Sequence, residues 1–185
     1  MFVTEQEVRM LGIINGRQVE EVGDRPRSKK SPVVTIMGHV DHGKTTLIDY
    51  LRSSDITEGE AGGITQKIGA FHITCHGEKI TFIDTPGHEA FTNMRQRGAK
   101  VTDLVVLIVA ATEGVKQQTR EVIELVTEED IPFIVAINKI DVGSANVEEV
   151  EQELLAAGVN IEPKGGNVPV IHISAKTGQN VSLLS

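Results

Sequence analysis

Gly38-His39-Val40-Asp41-His42-Gly43-Lys44-Thr45 follows the apolar run Val33-Val34-Thr35-Ile36-Met37 and precedes Thr46-Leu47-Ile48-Asp49-Tyr50-Leu51. The run reads as a buried strand and the segment after the loop as a helix. The loop therefore matches G-x-x-x-x-G-K-[ST] in its proper strand-to-helix setting. Glycines there let the backbone approach a phosphate closely, and consecutive N–H groups at a helix N-terminus carrying roughly +0.5 charge form an anion site. Gly38, His39, Val40, Asp41, His42, Gly43, Lys44 and Thr45, with Thr46 directly behind them, are the candidate nucleotide contacts. Lys44 is expected at the β- and γ-phosphates, and the Thr45 hydroxyl on Mg²⁺. A glycine turn that binds nothing shares this local pattern, so the decision rests on what stands further along the chain.

A second apolar strand, Lys79-Ile80-Thr81-Phe82-Ile83, ends in Asp84-Thr85-Pro86-Gly87-His88. A carboxylate at the tip of a strand beside a phosphate loop is the usual second holder of Mg²⁺, commonly through a bound water, which makes Asp84 the candidate. Gly87 lets the backbone reach the γ-phosphate and offers its N–H as a sensor of that group, and Pro86 stiffens the approach. The same five residues also read as a helix N-cap and an ordinary turn.

Base identity follows from Asn138-Lys139-Ile140-Asp141, placed after the strand Phe133-Ile134-Val135-Ala136-Ile137. A carboxylate accepts both the ring N–H and the exocyclic amine of guanine, whereas adenine presents the reversed pattern and leaves it unsatisfied. Asp141 thus selects guanine and disfavours an ATP-using enzyme. Asn138 is placed to tie this loop to the phosphate loop, and the Lys139 stem to cover one face of the base. After Val170-Ile171-His172-Ile173 comes Ser174-Ala175-Lys176, where a backbone N–H can reach the guanine carbonyl and Lys176 can flank the ring. Each short motif is weak alone; their order and their positions after strands carry the reading.

The His-Val-Asp-His filling of the loop, with His88 after the second motif, resembles the translational GTPases. Glu60-Ala61-Gly62-Gly63-Ile64-Thr65-Gln66-Lys67-Ile68-Gly69-Ala70-Phe71 and Phe91-Thr92-Asn93-Met94-Arg95-Gln96-Arg97-Gly98-Ala99 narrow the resemblance to the G domain of bacterial and organellar translation initiation factor two, over about residues 31 to 184. The resemblance implies that Thr65 completes the Mg²⁺ shell when the γ-phosphate is present. It implies that Val40 and Ile64 gate the attacking water, and that His88 positions or polarises it. It further implies GTP and GDP as ligands, a ribosome partner, and initiator formylmethionyl-tRNA recognised through domains absent from this sequence. The location is then bacterial cytoplasm or mitochondrial matrix. Two functional classes remain compatible: a GTPase promoting ribosomal subunit joining, and a nucleotide-gated ribosome-binding module with negligible intrinsic hydrolysis. His39 and His42, three apart beside Asp41, are read as loop-shaping residues because the glycine loop turns them from a common metal-binding face.

Composition agrees with one domain. The chain has 185 residues, a single cysteine and a formal net charge of −8, which argues against broad nonspecific nucleic-acid binding. No apolar stretch approaches the roughly 20 residues of a membrane span, and a monomer without membrane contact is expected. Residues 1–31 read as a tail and linker whose basic cluster, Arg25, Arg27, Lys29 and Lys30, reads as a solvated linker more readily than as an RNA clamp. Residues 32–185 read as a P-loop NTPase G domain of α/β class, with a six-stranded, mostly parallel sheet, one antiparallel edge strand and helices on both faces. Strands are placed near 33–37, 69–76, 79–83, 104–110, 132–138 and 168–173, and helices near 44–53, 88–100, 116–129 and 147–157. The apolar pattern at Val181, Leu183 and Leu184 reads as the start of a cut C-terminal helix.

Overall fold

The computed structural model describes residues 31–57, 69–75, 78–84 and 102–184. The tail through residue 30, Ile64, Thr65, Gly87, His88, the helix expected near 88–100 and the Asp84 side chain lie outside the described residues. In chain order the elements are β1 (Val33–Gly38), α1 (Lys44–Thr57), β2 (Gly69–Cys75), β3 (Glu78–Asp84), β4 (Leu104–Ala110), α2 (Gln117–Glu128), β5 (Phe133–Asn138), α3 (Val147–Ala156) and β6 (Val170–His172). Short 3₁₀ turns occupy Val40–His42, Glu162–Lys164 and Val181–Leu184.

One six-stranded sheet runs in the order β2-β3-β1-β4-β5-β6. Among the described strands only the β2–β3 pair is antiparallel, with Phe71 opposite Phe82 and Ile73 opposite Ile80. The remaining pairs are parallel. Every residue of β4 is buried. Its even-numbered side chains Leu104, Val106 and Ile108 join Leu47, Ile48 and Leu51 of α1 on one face. On the other face Leu107 and Val109 meet Ile123, Val150 and Leu154 from α2 and α3, and Val105 meets Val126. A strand covered on both sides needs no polar alternation, which is why β4 reads as an unbroken apolar run.

Helix α3 starts where the Asn146 side chain accepts a hydrogen bond from Glu149 N–H (3.2 Å), with Glu148 and Glu149 in the first turn facing the positive end of the helix dipole. Helix α1 runs four residues beyond the expected Ser53. Regular pairing of β6 is shorter than expected. Pro169 has no N–H to donate, although its carbonyl accepts from Val135 N–H (2.9 Å), and Val168 bridges Ile161 instead. The pattern near the last residues forms a 3₁₀ turn rather than an α-helical start, with Val181 and Leu184 buried against the α1 face of the sheet.

Parallel registry brings the carboxyl ends of the strands together. Gly38 pairs with Ile108, Ala110 with Asn138, and Ile137 with His172. The Asp84 backbone pairs with Ile36, two residues short of the loop. This is the end of an open α/β sheet at which ligands bind.

Candidate functional site

The loop after β1 is pinned from beneath and from the side. His42 is completely buried, with Nδ1 3.3 Å from the Ile108 carbonyl at the end of β4. A carbonyl can only accept, so Nδ1 carries the proton of a neutral ring. Burial pushes the His42 pKa down to about 4, opposed only in part by the Ile108 carbonyl and by Glu113. The ring stands edge-on to His39 at 5.1 Å, and His39 Nδ1 lies 2.7 Å from Gln118 Oε1 in the first turn of α2. Both histidines therefore hold the loop to its scaffold. Lys44 folds back across the loop and donates from Nζ to the Gly38 carbonyl (2.9 Å). Gly43 takes a left-handed φ of +92°, and a Cβ there would strike the Asn138 amide. Glycine is required on both counts.

Asn138, 3% exposed, joins two loops with one amide. Its Nδ2 donates to the His42 carbonyl (2.9 Å), and its Oδ1 accepts from Ala175 N–H (2.9 Å). Beside it, the Ser174 hydroxyl donates to Asp141 Oδ1 (2.7 Å) and accepts from Thr177 N–H (3.2 Å). A carboxylate has about four lone-pair sites, so Asp141 keeps acceptor capacity for two ligand N–H groups. Three of the four sequence motifs thus converge at one end of the sheet: residues 38–45, Asn138 to Asp141, and Ser174 to Lys176. Of the fourth, the structure describes the Asp84 backbone.

Several supporting residues carry no sequence motif. Glu113 pairs through Oε1 with the Nζ of Lys139 at 2.9 Å, Lys139 itself having φ +64°. Glu153 of α3 accepts from Val115 N–H (2.6 Å), which fixes the turn that carries Glu113. Tyr50 of α1 packs against Gly178, just beyond Lys176. Position at a strand tip is the signal that could have found Glu113, since Ala111-Thr112-Glu113-Gly114 directly follows β4.

A model of the elongation factor Tu GTP-binding domain matches residues 29–185. The chain belongs to that family. Translation initiation factor IF-2 of Chloroflexus aurantiacus is 56% identical over 169 residues, covering 91% of this chain and 22% of that protein. The factor of the same name from Roseiflexus sp. is 60% identical over 152 residues, covering 82% of this chain and 21% of its own length. The chain therefore spans about a fifth of these relatives. Among solved structures, GDP-bound aIF5B from Aeropyrum pernix aligns with a TM-score of 0.69 at 32% identity, over 83% of this chain and 34% of that one. Elongation factor SelB from Methanococcus maripaludis, in complex with the GTP analogue GppNHp, gives 0.61 at 34% identity, over 84% of this chain and 32% of that one. Family membership and the P-loop architecture of the sheet agree with each other.

Proposed function

We propose that this chain is the GTP-binding and GTP-hydrolysing module of a translation initiation factor. The observation that carries the reading is the Asn138 clasp, which holds the phosphate loop, the Asp141 loop and the Ser174 loop in one fixed relation. A phosphate cradle and a guanine reader so joined act on one ligand rather than two. The backbone N–H groups of residues 38–45 and Lys44 hold the phosphates, Asp141 reads the guanine edge, and Lys139 and Lys176 flank the ring.

The donor set fits Mg²⁺, a hard cation that takes oxygen ligands, keeps several waters and needs few protein groups. Thr45 supplies an exposed hydroxyl in the first turn of α1, and Asp84 and Thr65 are the further candidates. When bound, the ion neutralises charge on the phosphate oxygens. Hydrolysis then consists of water attacking the γ-phosphorus while the bond to the β-phosphate oxygen breaks, yielding GDP and phosphate. Such a reaction depends on positioning and charge stabilisation. His88 orients the water, Val40 and Ile64 limit its access, and the Gly87 N–H senses the γ-phosphate. Val40, within the loop, is 67% exposed and so is open to a ligand or water.

The similarity to IF-2 supports a cytoplasmic factor of bacterial type that engages the ribosome, and we read it as a monomer that promotes subunit joining. Recognition of initiator formylmethionyl-tRNA falls to parts of the factor outside this stretch. The test is single-turnover GTP hydrolysis by the full factor, with and without ribosomes. Ribosome-stimulated cleavage supports the enzyme reading. GTP-dependent ribosome binding without stimulated cleavage would instead make the module a nucleotide-gated binder.

A further inference from the structure

The turn after β4 carries an acid that belongs to none of the nucleotide motifs. Glu113 Oε1 lies 2.9 Å from Lys139 Nζ, and both side chains are about 30% exposed. The turn beneath Glu113 is fixed from two elements. Ala111 N–H donates to the Asn138 carbonyl (2.7 Å), and the Ala111 carbonyl accepts from Asn146 N–H (2.8 Å). Val115 N–H donates to Glu153 Oε2 (2.6 Å), and the same carboxylate packs against Gly114. At the other end, the left-handed backbone of Lys139 sets the direction in which its stem leaves the chain. A long, flexible stem is thereby held at both ends.

We propose that Glu113 is a positioning residue of the guanine site, anchoring the Lys139 ammonium so that the lysine stem already lies along the base-binding face before nucleotide arrives. The inference rests on the nucleotide reading given above. Its physical basis is preorganisation: a lysine stem loses considerable rotamer freedom when it is immobilised, and a stem ordered beforehand loses less on binding. The Lys139 hydrogen bond holds the Glu113 carboxyl below the usual carboxylate range, so the anchor is charged throughout the neutral range. The Ser174 loop has its own support, since Gly178 N–H donates to the Ser174 carbonyl (2.8 Å) and Tyr50 packs against Gly178.

The experiment is a double-mutant cycle on the 185-residue chain, with GDP and GTP affinities measured by calorimetry for the parent, Glu113→Gln, Lys139→Met and the double variant. A partly exposed pair contributes modestly, so Glu113→Gln is expected to weaken GDP and GTP alike by about two- to fivefold. On the Lys139→Met background, which keeps the stem and removes the charge, the same substitution is expected to cost nothing further. Equal losses on both backgrounds, or no loss in Glu113→Gln, would overturn the proposal. Equal losses together with a lower nucleotide-free melting midpoint would make Glu113 a structural residue of its turn. A parent chain that binds neither nucleotide would overturn the nucleotide reading itself.

Discussion

Replacing Asn138 with Ala removes both bonds of the clasp at once. The His42 carbonyl and the Ala175 N–H, each in a residue at most 3% exposed, are left without these partners. Stranding a buried donor or acceptor costs about 1–3 kcal/mol. Relaxation of the Gly43 backbone into the vacated space and entry of water recover part of the sum, so we expect a loss of about 2–4 kcal/mol. Urea unfolding at neutral pH, with the slope checked for constancy, measures it. Asn138→Asp is the sharper companion. It keeps an acceptor for Ala175 N–H but turns an acceptor toward the His42 carbonyl and buries a charge, so its loss should at least equal that of Ala. GDP affinity should fall in both variants, because the phosphate and base loops no longer share a fixed frame. A loss under about 0.5 kcal/mol by the yardstick of a single net hydrogen bond, or unchanged GDP affinity, would refute the clasp.

Two further outcomes follow from the geometry. The folded His42 pKa of about 4 lies below the ordinary 6.5, so the unfolded chain binds the extra proton. Stability from this group is complete above about pH 6.5 and falls as pH drops toward 4, by about 2 kcal/mol between pH 7 and 5. Urea unfolding at the two pH values should show this in the parent and not in His42→Gln; an equal loss in both would assign it elsewhere. Gly178 has φ +80°, and a Cβ there would meet the Tyr50 ring. Gly178→Ala should therefore lower stability by roughly 1–3 kcal/mol, and Tyr50→Ala in the same chain should relieve the steric part. Additive losses in the double variant would contradict that contact.

What the sequence made legible was whatever has a period or a fixed local chemistry. The apolar run from Leu104 to Ala110 announced a strand, and the phosphate loop announced the β1–α1 corner. Asn138 was legible as the last residue of β5, and Asp141 and Ser174 because each stands within three residues of a strand's carboxyl end. Glu113, Glu153 and Tyr50 were not, since their partners stand 26, 38 and 128 residues away along the chain and short motifs record no such distances. Glu151 is a plainer case. It stands in a helix rich in glutamates, yet it is 6% exposed and lies 3.3 Å from both Lys164 Nζ and His172 Nε2. Burial of a charge depends on such partners, and helical spacing is silent about them. The pattern at Val181–Leu184, read as the start of a helix, takes 3₁₀ geometry over these residues, since two buried residues three apart satisfy either a 3₁₀ or an α turn.

Nucleotide selectivity at Asp141 tests the central claim most directly. Asp141 is held by the Ser174 hydroxyl at 2.7 Å, and Asn at this position keeps the shape while replacing one acceptor oxygen with an amide donor. The parent chain should bind GDP with Mg²⁺ and not ADP. Asp141→Asn should lose guanine affinity by roughly 2–4 kcal/mol and gain relative affinity for xanthosine diphosphate, whose ring presents an acceptor where guanine presents its amine. GDP binding by Asp141→Asn at parental strength, measured in the same titration, would contradict the assignment of this site as a guanine reader.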